Sequence, residues 1–150
     1  MNNIKIIFLS IFAIAMTANA FQSVTAKASQ EPWTEHQLLA PADLAKALND
    51  PKSPQPIIYS IGPQAIIKNS IDIGPAQEKG NLKKLKQQLN KLPKDANIVI
   101  YCGCCPFDKC PNIRPAFGLL NEMGFKKHKL LNLPHNLKVD WIDKGYPITN

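Results

Sequence analysis

Arginine is almost missing from this 150-residue chain: Arg114 stands alone among 18 basic residues. A nucleic-acid surface interleaves arginine and aromatic side chains with its lysines. The formal net charge of +7 therefore reads as a solvated lysine face, and nucleic acid is excluded as the expected partner. The lysines gather at Lys79, Lys83, Lys84, Lys86, Lys91 and Lys94, with Lys126, Lys127 and Lys129 further on. A basic surface of this kind steers small anions toward a site. Long apolar runs are scarce as well. The stretch 6–16, IIFLSIFAIAM, falls short of the roughly 20 residues that span a bilayer. Internal repeats and low-complexity tracts are missing, and nothing marks a second domain. Cysteine is rare too: the chain has four, and all lie between Cys102 and Cys110.

What is present begins with an export pattern. Lys5, the apolar stretch 6–16 and the small-residue triplet Ala18-Asn19-Ala20 together match a secretory signal peptide. Residues 1–20 are expected to be removed after Ala20, which places the mature chain in the periplasm or outside the cell with no membrane tether. Without a cysteine near the cleavage site, a lipoprotein is not expected. Residues 21–32 are small and polar and read as a flexible leader. Residues 33–150 hold enough Leu, Ile, Val and aromatic side chains for a single core.

Along that domain the periodicity alternates. Pro41 to Leu48 reads as a short helix with proline in its first turn. Ile57 to Ile61 reads as a buried strand stopped by Gly62-Pro63, and Ile71 to Ile73 as a short strand before Gly74-Pro75. Asn81 is a plausible N-cap for a helix bearing Leu82, Leu85, Leu89 and Leu92, ended by Pro93. Ile98 to Tyr101 is the strongest strand and runs straight into Cys102. Pro115 is expected to open a helix that Gly124 closes. A strand over Lys129–Leu133 and a helix over Asn136–Lys144 complete the pattern. Such alternation predicts an α/β fold, a central parallel sheet with helices on both faces. Sites in such folds lie beyond the carboxyl ends of the strands, where the Cys102 loop falls.

The loop itself reads Tyr101-Cys-Gly-Cys-Cys-Pro-Phe-Asp-Lys-Cys-Pro-Asn-Ile-Arg-Pro-Ala116. A strand ending in cysteine, a loop with arginine, a helix ending in Gly-Phe, a strand, then a helix with tryptophan and Gly-Tyr-Pro resembles the rhodanese-like family. Leu-Leu-Ala-Pro-Ala-Asp-Leu-Ala (38–45) resembles that family's opening, and Ile-Asp-Ile-Gly-Pro (71–75) its segment before the long helix. The resemblance spans about residues 38–148 and is nearest to exported single-domain members with a cysteine-rich loop. It implies a sulfurtransferase that needs no cofactor. Cys102 would be the nucleophile that carries sulfane sulfur as a persulfide, between a small anionic donor and a thiophilic acceptor, which includes protein thiols.

Elementary chemistry suits that role. Successive backbone N–H groups and a helix start near Pro115 would form an anion cradle that stabilises a thiolate. Arg114 would bind an anionic donor such as thiosulfate. The spacing from Cys102 to Arg114 is longer than in typical members, which marks an insertion in the loop. Cys-x5-Arg occurs nowhere, so a small-loop phosphatase is not expected.

Three uses compete for Cys104, Cys105 and Cys110: a disulfide that shapes the insertion, a thiol that exchanges with Cys102, or a metal site. Cys102, Cys104, Cys105 and Cys110 together would bind zinc, copper(I) or an iron–sulfur cluster. Their spacing lacks the paired Cys-x2-Cys knuckles of ordinary zinc modules, so no metal is expected. The alternatives to the enzyme are thus a metal-binding or thiol–disulfide module, or an inactive binding domain of the same fold. His135 is a candidate site-lining residue, whereas His36 and His128 are expected at the surface. Trp33 and Trp141 are expected to pack.

Overall fold

The computed structural model describes residues 31–149. The expected signal peptide and all of the leader but Glu31 and Pro32 lie outside the described residues. Five strands form one sheet in the order β1-β5-β4-β2-β3. They are β1 (Leu38–Leu39), β2 (Ile57–Ser60), β3 (Ser70–Asp72), β4 (Ile98–Tyr101) and β5 (His128–Leu131). Every neighbouring pair is parallel. All four residues of β4 are buried, as expected for a central strand covered on both faces.

Alternation along the strands sorts side chains into two cores. On one face Tyr59, Ile98, Ile100 and Leu130 pack against α2 (Lys79–Leu89) and α3 (Ile113–Glu122). On the other, Ile58, Val99, Tyr101 and Leu131 meet α1 (Pro41–Asn49) and Leu137 of the short α4 (Leu137–Asp140). Both faces of the sheet therefore carry helices. Pro41 starts α1, whose Leu44, Ala45 and Leu48 are buried. The helix α2 begins at Lys79, two residues before the expected cap. Asn81 lies inside it and ties back to the Pro75 carbonyl and the Glu78 carboxylate. In α3 the buried set Ile113, Ala116, Phe117 and Leu120 follows helical spacing.

The end of α3 shows why Gly124 stops it. Gly124 has φ of 76°, and its N–H bonds the Asn121 carbonyl while the Phe125 N–H bonds the Leu120 carbonyl. This is a Schellman closure, which favours a residue free to adopt the left-handed conformation. The expected helix Asn136–Lys144 is broken instead. Asn136 caps α4 by accepting the Val139 N–H, and a 3-10 turn over Ile142–Lys144 follows Trp141. Trp141 is fully buried, and its indole N–H bonds the Pro147 carbonyl. No helix among the described residues is long and apolar enough to cross a membrane.

Strand β4 lies between β2 and β5, while the chain leaving β2 goes outward to β3. The connections from β2 and β4 thus run in opposite directions. The crevice at their carboxyl ends is the switch point where α/β sheets place ligands.

Candidate active site

Cys102 is the first residue after β4 and is 1% exposed. Its neighbour across the crevice is Gly62, just beyond β2. A Cβ on Gly62 would stand 2.8 Å from the Cys102 sulfur, so the bare glycine makes room for that atom. Gly103 is constrained in the same way, since a Cβ there would lie 2.7 Å from that of Leu137. That contact, with the Leu137 N–H bonding the Gly103 carbonyl at 3.0 Å, seats the start of α4 on the loop.

Three sulfurs gather here. The Sγ atoms of Cys102, Cys104 and Cys110 all lie within 4.8 Å of one another. Cys102 Sγ is 3.4 Å from Cys104 Sγ, and Cys104 Sγ is 3.4 Å from Cys105 Sγ. All four cysteines are free thiols, with Cys102 and Cys110 buried, Cys105 half-buried and Cys104 exposed. Cys105 touches Cys104 but stands outside the three-sulfur group. Three thiolates at this separation have the donor type for a soft metal ion.

A fourth group completes the sulfur's surroundings. Asn112, buried just before α3, donates from Nδ2 to Cys102 Sγ at 3.4 Å. Its Oδ1 accepts the Gln77 N–H at 3.1 Å, and this bond fixes which end of the amide faces the sulfur. Donors therefore converge on Cys102. The Cys110 thiol lowers its pKa most; burial opposes this, and the Cys104 N–H and the Asn112 amide lower it further, to about 5. These contacts favour the thiolate form of Cys102. Burial and the adjoining thiols push Cys104 up to about 12. Cys110, whose sulfur lies within 4.8 Å of that of Cys102, is raised as well by that neighbour and by burial. The arrangement favours charge on one sulfur and protons on its neighbours.

The later part of the loop, after Pro106, does not form the expected open cradle. Residues Phe107–Lys109 form a 3-10 turn, and its amides are largely consumed by the loop. Phe107 N–H bonds the Leu133 carbonyl, Lys109 N–H that of Pro106, and Cys110 N–H that of Phe107. The helix starts at Ile113, not Pro115, and the Ile113 N–H bonds the Cys110 carbonyl. The Cys104 N–H remains a backbone donor to Cys102, and the thiols and the Asn112 side chain add to it.

Arg114 is held away from this cluster's hydrogen bonds. Its guanidinium donates to the Glu31 carboxylate and to the Asp108 carbonyl, and lies over the Trp33 ring at 5.6 Å. It clamps residues 31–33 to the 3-10 turn of the loop. Phe107 packs against Trp33 in the same region. His135 is exposed and pairs through Nδ1 with Asp140 at 2.9 Å. His128, expected at the surface, is instead buried in β5. It stacks against Phe117 and hydrogen-bonds Asn121 and Gln37. The flanking lysines gave it a solvated look, but strand alternation turns it inward.

A cavity of about 360 Å³ opens beside the cluster, lined by Cys104 and Gly103 together with Pro63, Ile66, Leu137 and Ile142, among others. Sequence reasoning missed Gly62 and Asn112. Both approach Cys102 only after folding, from β2 and from the start of α3. No family model matches the chain, and no curated protein matches it.

Proposed function

We propose that this protein is a rhodanese-like sulfurtransferase that carries sulfane sulfur as a persulfide on Cys102, exported to the periplasm or beyond. The observation that carries the reading is a buried sulfur at the carboxyl end of the central strand, met by Asn112, Cys104 and Cys110. Such a site lowers the pKa of a thiol and stabilises the anionic outer sulfur of a persulfide. The order of strands, helices and cysteine loop also suits the resemblance in the sequence.

With thiosulfate as donor, the Cys102 thiolate attacks the outer sulfur. A Cys102 Sγ–S bond forms, the S–S bond of thiosulfate breaks, and sulfite leaves with the electron pair. An acceptor thiolate or cyanide then attacks the outer persulfide sulfur, and Cys102 departs as the thiolate. Its low pKa makes it a good leaving group. The Cys104, Asn112 and Cys110 donors serve both anionic states. Partners are thus a small anionic donor and a thiophilic acceptor, and the protein's own residues suffice without a cofactor.

Mass spectrometry of protein incubated with thiosulfate tests this reading. Cys102 should gain about 32 Da, one sulfur atom, which cyanide removes, and Cys102→Ser should abolish the gain. Turnover unchanged in Cys102→Ser would overturn the assignment. The three-sulfur group favours a second reading, a thiolate metal site. Stoichiometric metal that protects Cys102, Cys104 and Cys110 together from alkylation would establish it in place of sulfur transfer.

A further inference from the structure

Cys102, the nucleophile of the proposed reaction, is only 1% exposed. Cys104, two residues on, is exposed, and its sulfur is 3.4 Å from that of Cys102. Cys104 also lines the cavity of about 360 Å³, whereas Cys102 does not. The buried sulfur and the cavity therefore meet through one side chain. A thiosulfate or cyanide ion is small and has no attached chain to bring with it toward Cys102. A thiol carried on a peptide differs, because its own backbone must follow it inward. The cavity has the size of a small-ligand site. Pro63, Ile66, Leu137 and Ile142 give it an apolar wall, and Gln64, Asn136 and Lys138 add polar groups.

We infer that Cys104 is a second catalytic thiol, a relay that takes sulfane sulfur from the Cys102 persulfide and hands it to an acceptor thiol bound in the adjoining cavity. This rests on the persulfide reading of Cys102 and adds the route by which the sulfur leaves. In the relay step the outer sulfur of Cys102–S–S⁻ first takes the Cys104 proton, and the Cys104 thiolate so formed attacks that neutral sulfur. The Cys104 Sγ–S bond forms, the Cys102 Sγ–S bond breaks, and Cys102 departs as the thiolate. The transferred sulfur keeps that proton, giving Cys104–S–SH. Charge is unchanged, and no outside oxidant or reductant is needed.

The direction follows from the two thiols. Sulfur leaves the sulfur that best holds negative charge and goes to one that does not, and the donors around Cys102 make it the better leaving group. In the second step the acceptor thiol attacks the Cys104 persulfide. The sulfur becomes the acceptor's persulfide, and the acceptor's proton returns to Cys104. The cavity keeps this exchange beside Cys104, apart from the buried pair of Cys102 and Cys110.

The test compares the whole protein with Cys104→Ser, in which the hydroxyl still offers Cys102 a hydrogen-bond donor but cannot carry sulfur. Both are loaded with thiosulfate, separated from excess donor and mixed with glutathione as the acceptor. Peptide mapping follows the 32 Da label. In the unsubstituted protein the label is expected on Cys104 as well as Cys102 within the first turnover. In Cys104→Ser, Cys102 is expected to load, while discharge to glutathione slows at least tenfold. Discharge within twofold of the unsubstituted rate, with Cys102 loaded, would overturn the relay and leave the Cys102 persulfide standing. Failure to label Cys102 in either protein would overturn both readings. A narrowed cavity offers a second check: Ile142→Trp, which leaves every cysteine in place, should slow glutathione discharge without reducing the label on Cys102. An unchanged rate would show that the acceptor does not bind there.

Discussion

Gly62 and Cys102 face each other from adjacent strand ends, so closely that a side chain on the glycine would reach the Cys102 sulfur at 2.8 Å. The backbone of Gly62 has no positive φ to demand glycine; the need is for space. Gly62→Ala should therefore act as an overpacking substitution, typically costing about 1–3 kcal/mol. It should also crowd the room a persulfide requires. The expected result is a lowered melting temperature together with poor loading of Cys102 by thiosulfate. Loading at the unsubstituted rate would mean that the added sulfur lies away from Gly62.

Asn112 is a positioning residue that acts through Cys102. A hydrogen bond to a charged group is worth about 1.5–3 kcal/mol, and one pKa unit corresponds to about 1.36 kcal/mol. Removal of its amide in Asn112→Leu should then raise the Cys102 pKa by roughly 1–2 units. The midpoint of the alkylation-rate profile against pH should move upward by that amount. Loss of the Gln77 contact would lower stability but would not move this midpoint, so the profile separates the two roles. Asn112→Gln, with the same functional group on a longer stem, should give an intermediate midpoint. A midpoint unmoved in Asn112→Leu would exclude the amide as a thiolate donor.

Arg114 binds the Glu31 carboxylate and the Asp108 carbonyl and covers Trp33. Partly exposed pairs of this kind contribute about 0–1 kcal/mol. Arg114→Ala should lower the melting temperature by no more than about 4 °C and leave the KM for thiosulfate within twofold. A large rise in that KM with an unchanged melting temperature would instead make Arg114 the donor-binding residue that its place in the loop suggests.

The layers of this fold are legible in the sequence wherever burial repeats locally. The leucines of α2, the apolar run of β4 and the Gly124 stop each announce themselves within one element. The position of Cys102 follows too, since a strand running into cysteine fixes the loop at a strand end. Donors supplied from elsewhere are hidden. Gly62 is reached through β-sheet pairing, and Asn112 comes near Cys102 because the loop folds back as a turn. The inward face of His128 was masked by Lys126, Lys127 and Lys129 around it. The expected last helix breaks because the burial of Trp141, anchored by its bond to Pro147, outweighs the propensity of residues 136–144 to continue.

The charge on Cys102 has a consequence for stability that its sign makes testable. Its folded pKa is lowered to about 5, against about 8.5 for an unperturbed thiol. Between these values the folded protein holds a thiolate and the unfolded chain holds a thiol. The unfolded state binds one more proton, so stability rises with pH across this window, by up to about 1.4 kcal/mol per unit. It is fully present above about pH 8.5 and is lost as pH falls through 5. Cys104 and Cys110 are raised and stay protonated in the folded protein, so they oppose this rise only toward pH 8.5, where the thiols of the unfolded chain begin to ionise. Burial lowers the pKa of His128, and the bonds that His135 and Asn136 make to Asp140 hold its carboxyl down despite burial. Both groups lose stability at low pH in the same direction, so the unsubstituted curve alone cannot isolate Cys102. Urea unfolding from pH 5 to 8.5, run in parallel on Cys102→Ser, removes their share by difference. The unsubstituted protein should show the steeper rise, most clearly near pH 7.5, above the range in which Asp140 and most of the unfolded-state His128 titrate. Parallel curves would mean that the buried sulfur is an ordinary thiol, and the nucleophile assignment would lose its electrostatic basis.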